Sequence, residues 1–427
     1  MDKNYQKVQE KFDNSSVKEI FDSVKKKLSN LEKSYVTSSL NESSYASKGL
    51  KELISSFKIK PEIGPPLNGD IYNSVVQGAR RNKYYLRSAG SGVGKTRLAV
   101  GDACALSIPF YYDWNTNQWI DRGHAEKVLF ITTEVDRDEV QTMIAACVSG
   151  INERKILHAD CTFKEIEVLD KAIEIIEAFE DNFILDKIPD PSISQIEACV
   201  RNHVLVDGVN SVFYDYIFSS PSLLNEFADY RLREDVVLFM LSTALKDLAV
   251  ELNIFMSSST QLSGDFKNQR GIRDQSYLRG SKAIADKADV GSIIVRICDE
   301  EKAIISPICE QLGLPIPTHV IDVYKNRRSE YNQIKIWSRI DLGTCREEDI
   351  LITTGYYEPI KDFNMIIYNY SQKKQEPKKE EVVKTELVKE TKDVDEVNEE
   401  TPPFEIDEIP KVQKDKNIKK GKLADLL

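Results

Sequence analysis

The 427-residue chain carries 58 Lys and Arg against 69 Asp and Glu, for a formal net charge of −11. That balance excludes a uniformly positive surface, so any contact with nucleic acid has to come from local basic patches. The length suffices for one large domain or two ordinary ones, and no uncharged apolar run approaches membrane-spanning length.

Residues 1–60 are polar and helix-prone. Ser16-Val17-Lys18-Glu19 has the form of a capping box, and Val17, Ile20, Phe21, Val24, Leu28 and Leu31 recur at helical spacing. A second helical stretch runs near Leu50-Lys51-Glu52-Leu53-Ile54. So short a helical arm cannot bury a core of its own. It either packs against the main domain or a neighbouring subunit, or stays a solvated arm. Residues 61–70, with three prolines and two glycines, read as a linker. The start, Met1-Asp2-Lys3-Asn4-Tyr5-Gln6, lacks the apolar centre of a signal peptide.

From 71 to 370 the chain alternates β-rich and helical runs, the pattern of an α/β domain with a largely parallel sheet. Strands are predicted at Tyr84–Ser88, Val128–Thr133, Ser211–Tyr216, Ile254–Ser259, Gly291–Ile297, His319–Tyr324 and Gln333–Trp337. Helices are predicted at Asp138–Val148 and Glu234–Leu252. Two insertions, an aromatic-rich hairpin or loop at 109–123 and a mainly helical stretch at 151–199, have no assigned chemistry. The seven cysteines (Cys104, Cys147, Cys161, Cys199, Cys298, Cys309, Cys345) form no CxxC pair, and no His stands at zinc-ligand spacing. They read as reduced, mostly buried thiols of a soluble cytoplasmic protein without a membrane partner. Residues 371–427, rich in Lys, Glu, Val and Pro, read as a disordered charged tail. Within it the apolar island Thr401–Glu408 and the basic cluster Lys411–Lys422 are either docking segments for replication proteins or plain solvated tail.

The chemistry centres on Ala89-Gly90-Ser91-Gly92-Val93-Gly94-Lys95-Thr96-Arg97. A β-rich run precedes it and a helix-forming run follows, the context of a phosphate-binding loop whose backbone N–H groups and helix N-terminus face an anion. Lys95 would reach the β- and γ-phosphates, and the Thr96 hydroxyl would ligate Mg²⁺. The metal's second anchor is Asp215, at the end of Val212-Phe213-Tyr214, with Asp207 after Val204-Leu205-Val206 as the less favoured competitor. Leu129-Phe130-Ile131-Thr132-Thr133-Glu134 also ends a strand in an acid. There Glu134 either acts as general base on the attacking water or simply begins the next helix. Gln261, ending Ser257-Ser258-Ser259-Thr260, is placed to sense the γ-phosphate and signal to the loop that follows.

The order of these motifs resembles the RecA-like ATPase domain of DnaB-type replicative helicases. Leu278-Arg279-Gly280-Ser281-Lys282-Ala283-Ile284 through Ala288-Asp289 is similar to that family's Leu-Arg-x-Ser-x-x-Ile-x-x-x-Ala-Asp segment, and Tyr324-Lys325-Asn326-Arg327-Arg328 to its Lys-x-Arg-Asn hairpin. The resemblance covers most of residues 70–340. It implies a P-loop NTPase using ATP and Mg²⁺ in a homo-oligomer, a hexameric ring that moves on single-stranded DNA. Lys325 and Arg327 would enter a neighbour's γ-phosphate region, although a solvated basic turn is the bland alternative. DNA-tracking loops would lie at 262–282, with Lys267, Arg270, Arg273, Arg279, Gly280 and Lys282 as contacts.

Two departures stand out. Residues 1–70 hold no counterpart of the family's N-terminal collar, which puts primase binding in doubt and implies a plasmid, phage or other mobile-element protein. Gly280 stands where the family has an acid. The competing readings are a recombination or repair ATPase on the same fold, and a nucleotide-switched scaffold or loader.

Overall fold

A computed structural model describes residues 45–59, 62–230, 232–263, 271–279, 282–327 and 329–366. The chain divides into two compact units, Met1–Ser56 with Lys379–Leu427, and Phe57–Lys378. Of the first, only residues 45–56 are described, including most of helix α1 (Leu50–Ile59). The expected helix at Ser16–Leu31 and the tail from 371 lie outside the described residues. No helix among the described residues is long and apolar enough to cross a membrane.

The larger unit opens with α2 (Asp70–Val76), β1 (Lys83–Ala89), α3 (Lys95–Ser107), the hairpin β2 (Phe110–Asp113) and β3 (Gln118–Asp121), β4 (Val128–Thr132) and α4 (Arg137–Ser149). Next come α5 (Glu153–Leu157), α6 (Phe163–Ala178), β5 (Phe183–Lys187), α7 (Ile193–Asn202), β6 (Ser211–Asp215), α8 (Pro221–Glu226), α9 (Glu234–Glu251) and β7 (Phe255–Ser258). The final part holds α10 (Ile284–Lys287), β8 (Val290–Arg296), α11 (Asp299–Leu312), β9 (His319–Asn326), β10 (Ile334–Asp341) and β11 (Arg346–Thr354).

Nine strands form one sheet in the order β11-β10-β9-β8-β1-β7-β6-β4-β5. From β8 to β5 every pairing is parallel, whereas β9, β10 and β11 add antiparallel strands on the far side. Parallel strands need both faces covered, and alternate residues supply both cores. Tyr85, Val128, Phe130 and Phe213 join the cluster that holds residues of α3 and α4, while Tyr84, Leu86, Leu129, Ile131 and Tyr214 join the one that holds residues of α7 and α9. Burial on both faces is why these strands read as continuous apolar runs.

Every expected strand and both expected helices are present within two residues at nearly all boundaries; β9 and β10 extend two and four residues further at their C-terminal ends. Two strands were not anticipated. β5 is short and only partly buried, at the sheet edge, and β11 begins with charged Arg346-Glu347-Glu348-Asp349. Residues 62–69, expected as a linker, are instead fastened to the domain. Gly64 N donates to the Gln77 carbonyl at 2.9 Å and Asn68 N to Asp102 Oδ1 at 3.0 Å. A Cβ at Gly64 would lie 2.2 Å from Ala79 backbone atoms, so only glycine permits this approach. Beneath the phosphate loop, Arg87 of β1 pairs with Asp102 of α3 at 2.5 Å and with Glu347 of β11, tying three elements together through a buried guanidinium.

Candidate active site

β1 lies between β7 and β8, so its C-terminal end at the buried Ala89 opens at the middle of the sheet. There the chain turns tightly, with Val93 N donating to the Gly90 carbonyl at 3.2 Å. Gly92 and Gly94 adopt left-handed φ values of 73° and 99°, which disfavour any side chain. At Gly94 a Cβ would also sit 2.3 Å from Leu342 Cδ2, so that side chain would have to move. Gly94 is also the N-cap of α3, whose first-turn N–H groups have no intrahelical acceptors and carry the positive end of the helix dipole. The loop and helix together form an anion cradle.

Side chains from three strands converge on it. Thr96 Oγ1 donates to Asp215 Oδ2 at 2.5 Å, and Ser259 Oγ to Asp215 Oδ1 at 3.4 Å. Thr133 fixes the same strand end, its N and Oγ1 each donating to the Asp215 carbonyl at 3.0 Å. Tyr216 is the hub that sequence reasoning gave no role. Its ring lies 3.6 Å below Lys95 Nζ, its hydroxyl donates to Glu134 Oε1 at 2.7 Å, and Gln261 Nε2 donates to that hydroxyl at 3.3 Å. Arg279 Nη1 in turn donates to Gln261 Oε1 at 2.8 Å. The one available signal was its place directly after Asp215 in a strand aimed at the loop.

Burial lowers the Lys95 pKa, with Asp215 and Glu134 opposing the shift, and burial raises that of Asp215 against the pull of Lys95 and the Thr96 hydrogen bond. Burial and the Glu134 contact push the Tyr216 phenol up, so it stays a donor. Lys95 makes no hydrogen bond or ion pair among the described residues. A half-buried ammonium beside a glycine cradle is a group that awaits an anion. Nucleotide phosphates fit it, and the Thr96–Asp215 pair is an oxygen donor set suited to Mg²⁺.

The remaining predicted residues divide sharply. Asp207 hydrogen-bonds His203 before the start of β6, whereas Asp215 at the end of β6 accepts from Thr96 of the loop. The Arg97 guanidinium is committed to Glu153 and the Leu342 carbonyl, so only its backbone can face phosphate. Arg273 corrects the expectation of a DNA contact. It is 0 % exposed and bound to Glu301 at 3.0 Å and Asp322 at 2.8 Å. Burial works against its charge, but the two acids outweigh that and raise its pKa. Arg279 and Lys282 are exposed, whereas Lys267, Arg270 and Gly280 lie outside the described residues. The loop between them is closed at its base, where Leu262 bridges Leu278 and Ser263 N donates to the Tyr277 carbonyl at 2.7 Å.

Lys325 and Arg327 are not brought to the phosphate loop of their own chain. Lys325 pairs with Gly291, which pairs with Leu86 in mid-β1, and the chain then runs on away from Ala89. Lys325 Nζ donates to the carbonyls of Ala285 and Asp286 at 2.6 and 3.0 Å, and Arg327 Nη2 to that of Asp286 at 3.0 Å. Burial and the neighbouring Arg327 charge lower the Lys325 pKa.

A glycine cradle ending the central strand, a Lys-Thr helix start and an acid at the tip of β6, one strand removed beyond β7, define a RecA-like P-loop nucleotide hydrolase domain. The chain belongs to the DnaB-like helicase C-terminal domain family, whose model matches residues 70–341. This makes it a nucleotide-hydrolysing helicase of the DnaB type. It is 37 % identical over 357 residues, covering 82 % of this chain and 70 % of the relative, to the SPbeta prophage-derived uncharacterized protein YorI of Bacillus subtilis (strain 168). One solved ATPase domain superposes with a TM-score of 0.55 at 17 % identity, covering 72 % of this chain and 99 % of that one. A DnaB-like replicative helicase, studied with its primase interactions, gives 0.54 at 18 % identity, covering 81 % of this chain and 77 % of that one. At such identities the two structures speak for the fold.

Proposed function

We propose that this protein hydrolyses ATP with Mg²⁺ and couples the hydrolysis to movement along single-stranded DNA as a homo-hexameric ring, unwinding duplex by excluding one strand. The prophage origin of its relative supports a role in replicating a phage or other mobile element. The observation that carries the reading is the unbroken side-chain path from Glu134 through Tyr216 and Gln261 to Arg279. It runs from the phosphate end of the sheet to the base of a basic loop.

When bound, the nucleotide brings the scissile phosphoanhydride and Mg²⁺ the Lewis acid. The loop N–H groups and Lys95 hold the phosphates, Thr96 and Asp215 hold the metal, and Glu134 takes the proton of the attacking water. Gln261 registers the γ-phosphate and changes its hold on Arg279. Lys325 and Arg327 act on the neighbouring subunit's nucleotide, where they stabilise charge that develops in phosphoryl transfer. Arg279 and Lys282, with Lys267 and Arg270, contact DNA phosphates without base readout.

Strand displacement on a forked DNA substrate tests the proposal. ATP-dependent displacement, with ATPase stimulated by single-stranded DNA, is the expected result. DNA-stimulated hydrolysis without displacement would favour a recombination ATPase, and absence of DNA binding at low salt a scaffold.

A further inference from the structure

We propose that Asp186, Cys199 and His203 form a binding site for a zinc-class transition-metal ion, separate from the nucleotide's Mg²⁺, that clamps edge strand β5 to helix α7. Asp186 is the fourth residue of β5, Cys199 lies in α7, and His203 begins the single π-helical turn His203–Asp207 that continues it. Four residues apart, Cys199 and His203 share one helix face, and π turns concentrate at functional sites. The four-residue spacing of Cys199 and His203 corrects the expectation that no His stands at zinc-ligand spacing, and the third donor comes from a strand that was not expected. α7 is held from both sides, by a capping box at Ser192 and Gln195 and by Arg201, whose two terminal nitrogens each meet a Glu251 oxygen of α9 at 2.6 Å.

The donor atoms already converge. Asp186 Oδ2 lies 3.0 Å from His203 Nε2 and 3.2 Å from Cys199 Sγ, and all three donors fall within 4.8 Å of one another. Zinc bonds to these atom types place neighbouring ligands about 3.3 to 3.6 Å apart at a tetrahedral centre. The two distances to Asp186 therefore need to open by only a few tenths of an ångström.

The hydrogen-bond polarity points the same way. Asp207 Oδ2 lies 2.6 Å from His203 Nδ1, and the neutral tautomer that donates there carries its ring proton on Nδ1. Nε2 then turns its lone pair toward the lone pairs of Asp186. A cation between the two atoms would meet both, and it would take up the Cys199 sulfur, whose S–H otherwise donates to Asp186 Oδ2 at 3.2 Å. A carboxylate behind the outer nitrogen is the arrangement that orients metal-bound imidazoles. One sulfur, one nitrogen and one oxygen suit Zn²⁺ or Co²⁺, not Mg²⁺ or Ca²⁺, which take oxygen sets. The His203 and Asp186 side chains are 17 % and 34 % exposed, which gives an ion an entry path and a water the fourth position.

The test uses the full chain, stripped with a chelator and dialysed against Zn²⁺ or Co²⁺ in excess Mg²⁺. One ion per chain by elemental analysis, a thiolate-to-Co²⁺ charge-transfer band and a raised melting temperature are expected. Cys199→Ser should abolish the band and His203→Gln the stoichiometric uptake, while Asp207→Asn should weaken binding roughly 10-fold. Circular dichroism checks the folding of each variant, with Asp186→Asn as an independent probe of the strand ligand. Absence of a stoichiometric ion, a cobalt spectrum without the thiolate band, or uptake unchanged in both Cys199→Ser and Asp186→Asn would overturn the proposal. Hydrogen bonds among His203, Cys199 and the two carboxylates would then account for the cluster.

Discussion

The two ends of the sheet treat positive charge in opposite ways. At the loop end, Lys95 has only an aromatic face beneath it and its pKa is depressed by burial. At the turn after β9, Lys325 and Arg327 are held against the carbonyls of Ala285 and Asp286 in α10. The first cation is poised for an anion that its own chain does not supply. The second pair is fixed in direction by backbone acceptors, as suits groups presented to another surface. The two sets of cations thus lie at opposite ends of the sheet.

The sharpest way to break that comparison is to remove one half at a time. Arg327→Ala should lower the hydrolysis rate about 10³-fold or more while equilibrium nucleotide binding persists. Glu134→Gln should cost on the order of 10²-fold or more, again with binding retained. Mixing Arg327→Ala with Lys95→Ala should then restore part of the rate, because some interfaces regain an intact Lys95 opposite an intact Arg327. Failure of the mixture to recover, or an unaffected Arg327→Ala rate, would remove Arg327 from a shared site and defeat the ring mechanism.

The loop end was largely legible in the sequence, and the turn end less so, for a physical reason. Buried parallel strands are written as apolar runs, and Asp215 and Glu134 stand out because each ends such a run. Arg273 shows the opposite case. Among Gly, Asn and Gln it looks solvated, yet its partners Glu301 and Asp322 stand 28 and 49 residues away, and Lys335 joins the same buried group through Asp322. No local pattern announces a pairing of that range. Tyr216 was visible as a residue but not as a hub, since its three contacts come from three different elements.

A smaller effect belongs to the scaffold at the start of β9, which pairs with the C-terminal end of β8. His319 in β9 is buried, with Nδ1 2.8 Å from Thr318 Oγ1 and Nε2 without a partner. Burial and the Arg296 charge push its pKa down to about 4, against about 6.5 in an unfolded chain. Between those values the unfolded chain binds a proton that the folded chain refuses, so this stability is complete above about pH 6.5 and is lost as pH falls toward 4. Between about pH 7 and pH 5 the loss should be about 2 kcal/mol, and His319→Gln should remove it from urea unfolding curves. Curves that stay parallel for the two proteins would assign the acid sensitivity elsewhere.

The smallest expected change addresses how the loop end communicates. Tyr216→Phe keeps a ring beneath Lys95 and deletes only the hydroxyl that joins Glu134 to Gln261. A hydrogen bond of this kind contributes about 0.5 to 1.5 kcal/mol, so the expected loss is roughly 2- to 10-fold. That loss should fall on stimulation by single-stranded DNA, with the basal rate nearly preserved, because Glu134 remains in place without its link to Arg279. Gln261→Ala should reproduce the uncoupling, and the double variant should be no worse than either single one if both act along one path. Equal losses with and without DNA would make Tyr216 a support for Glu134 alone, and additive losses would split the path at the phenol.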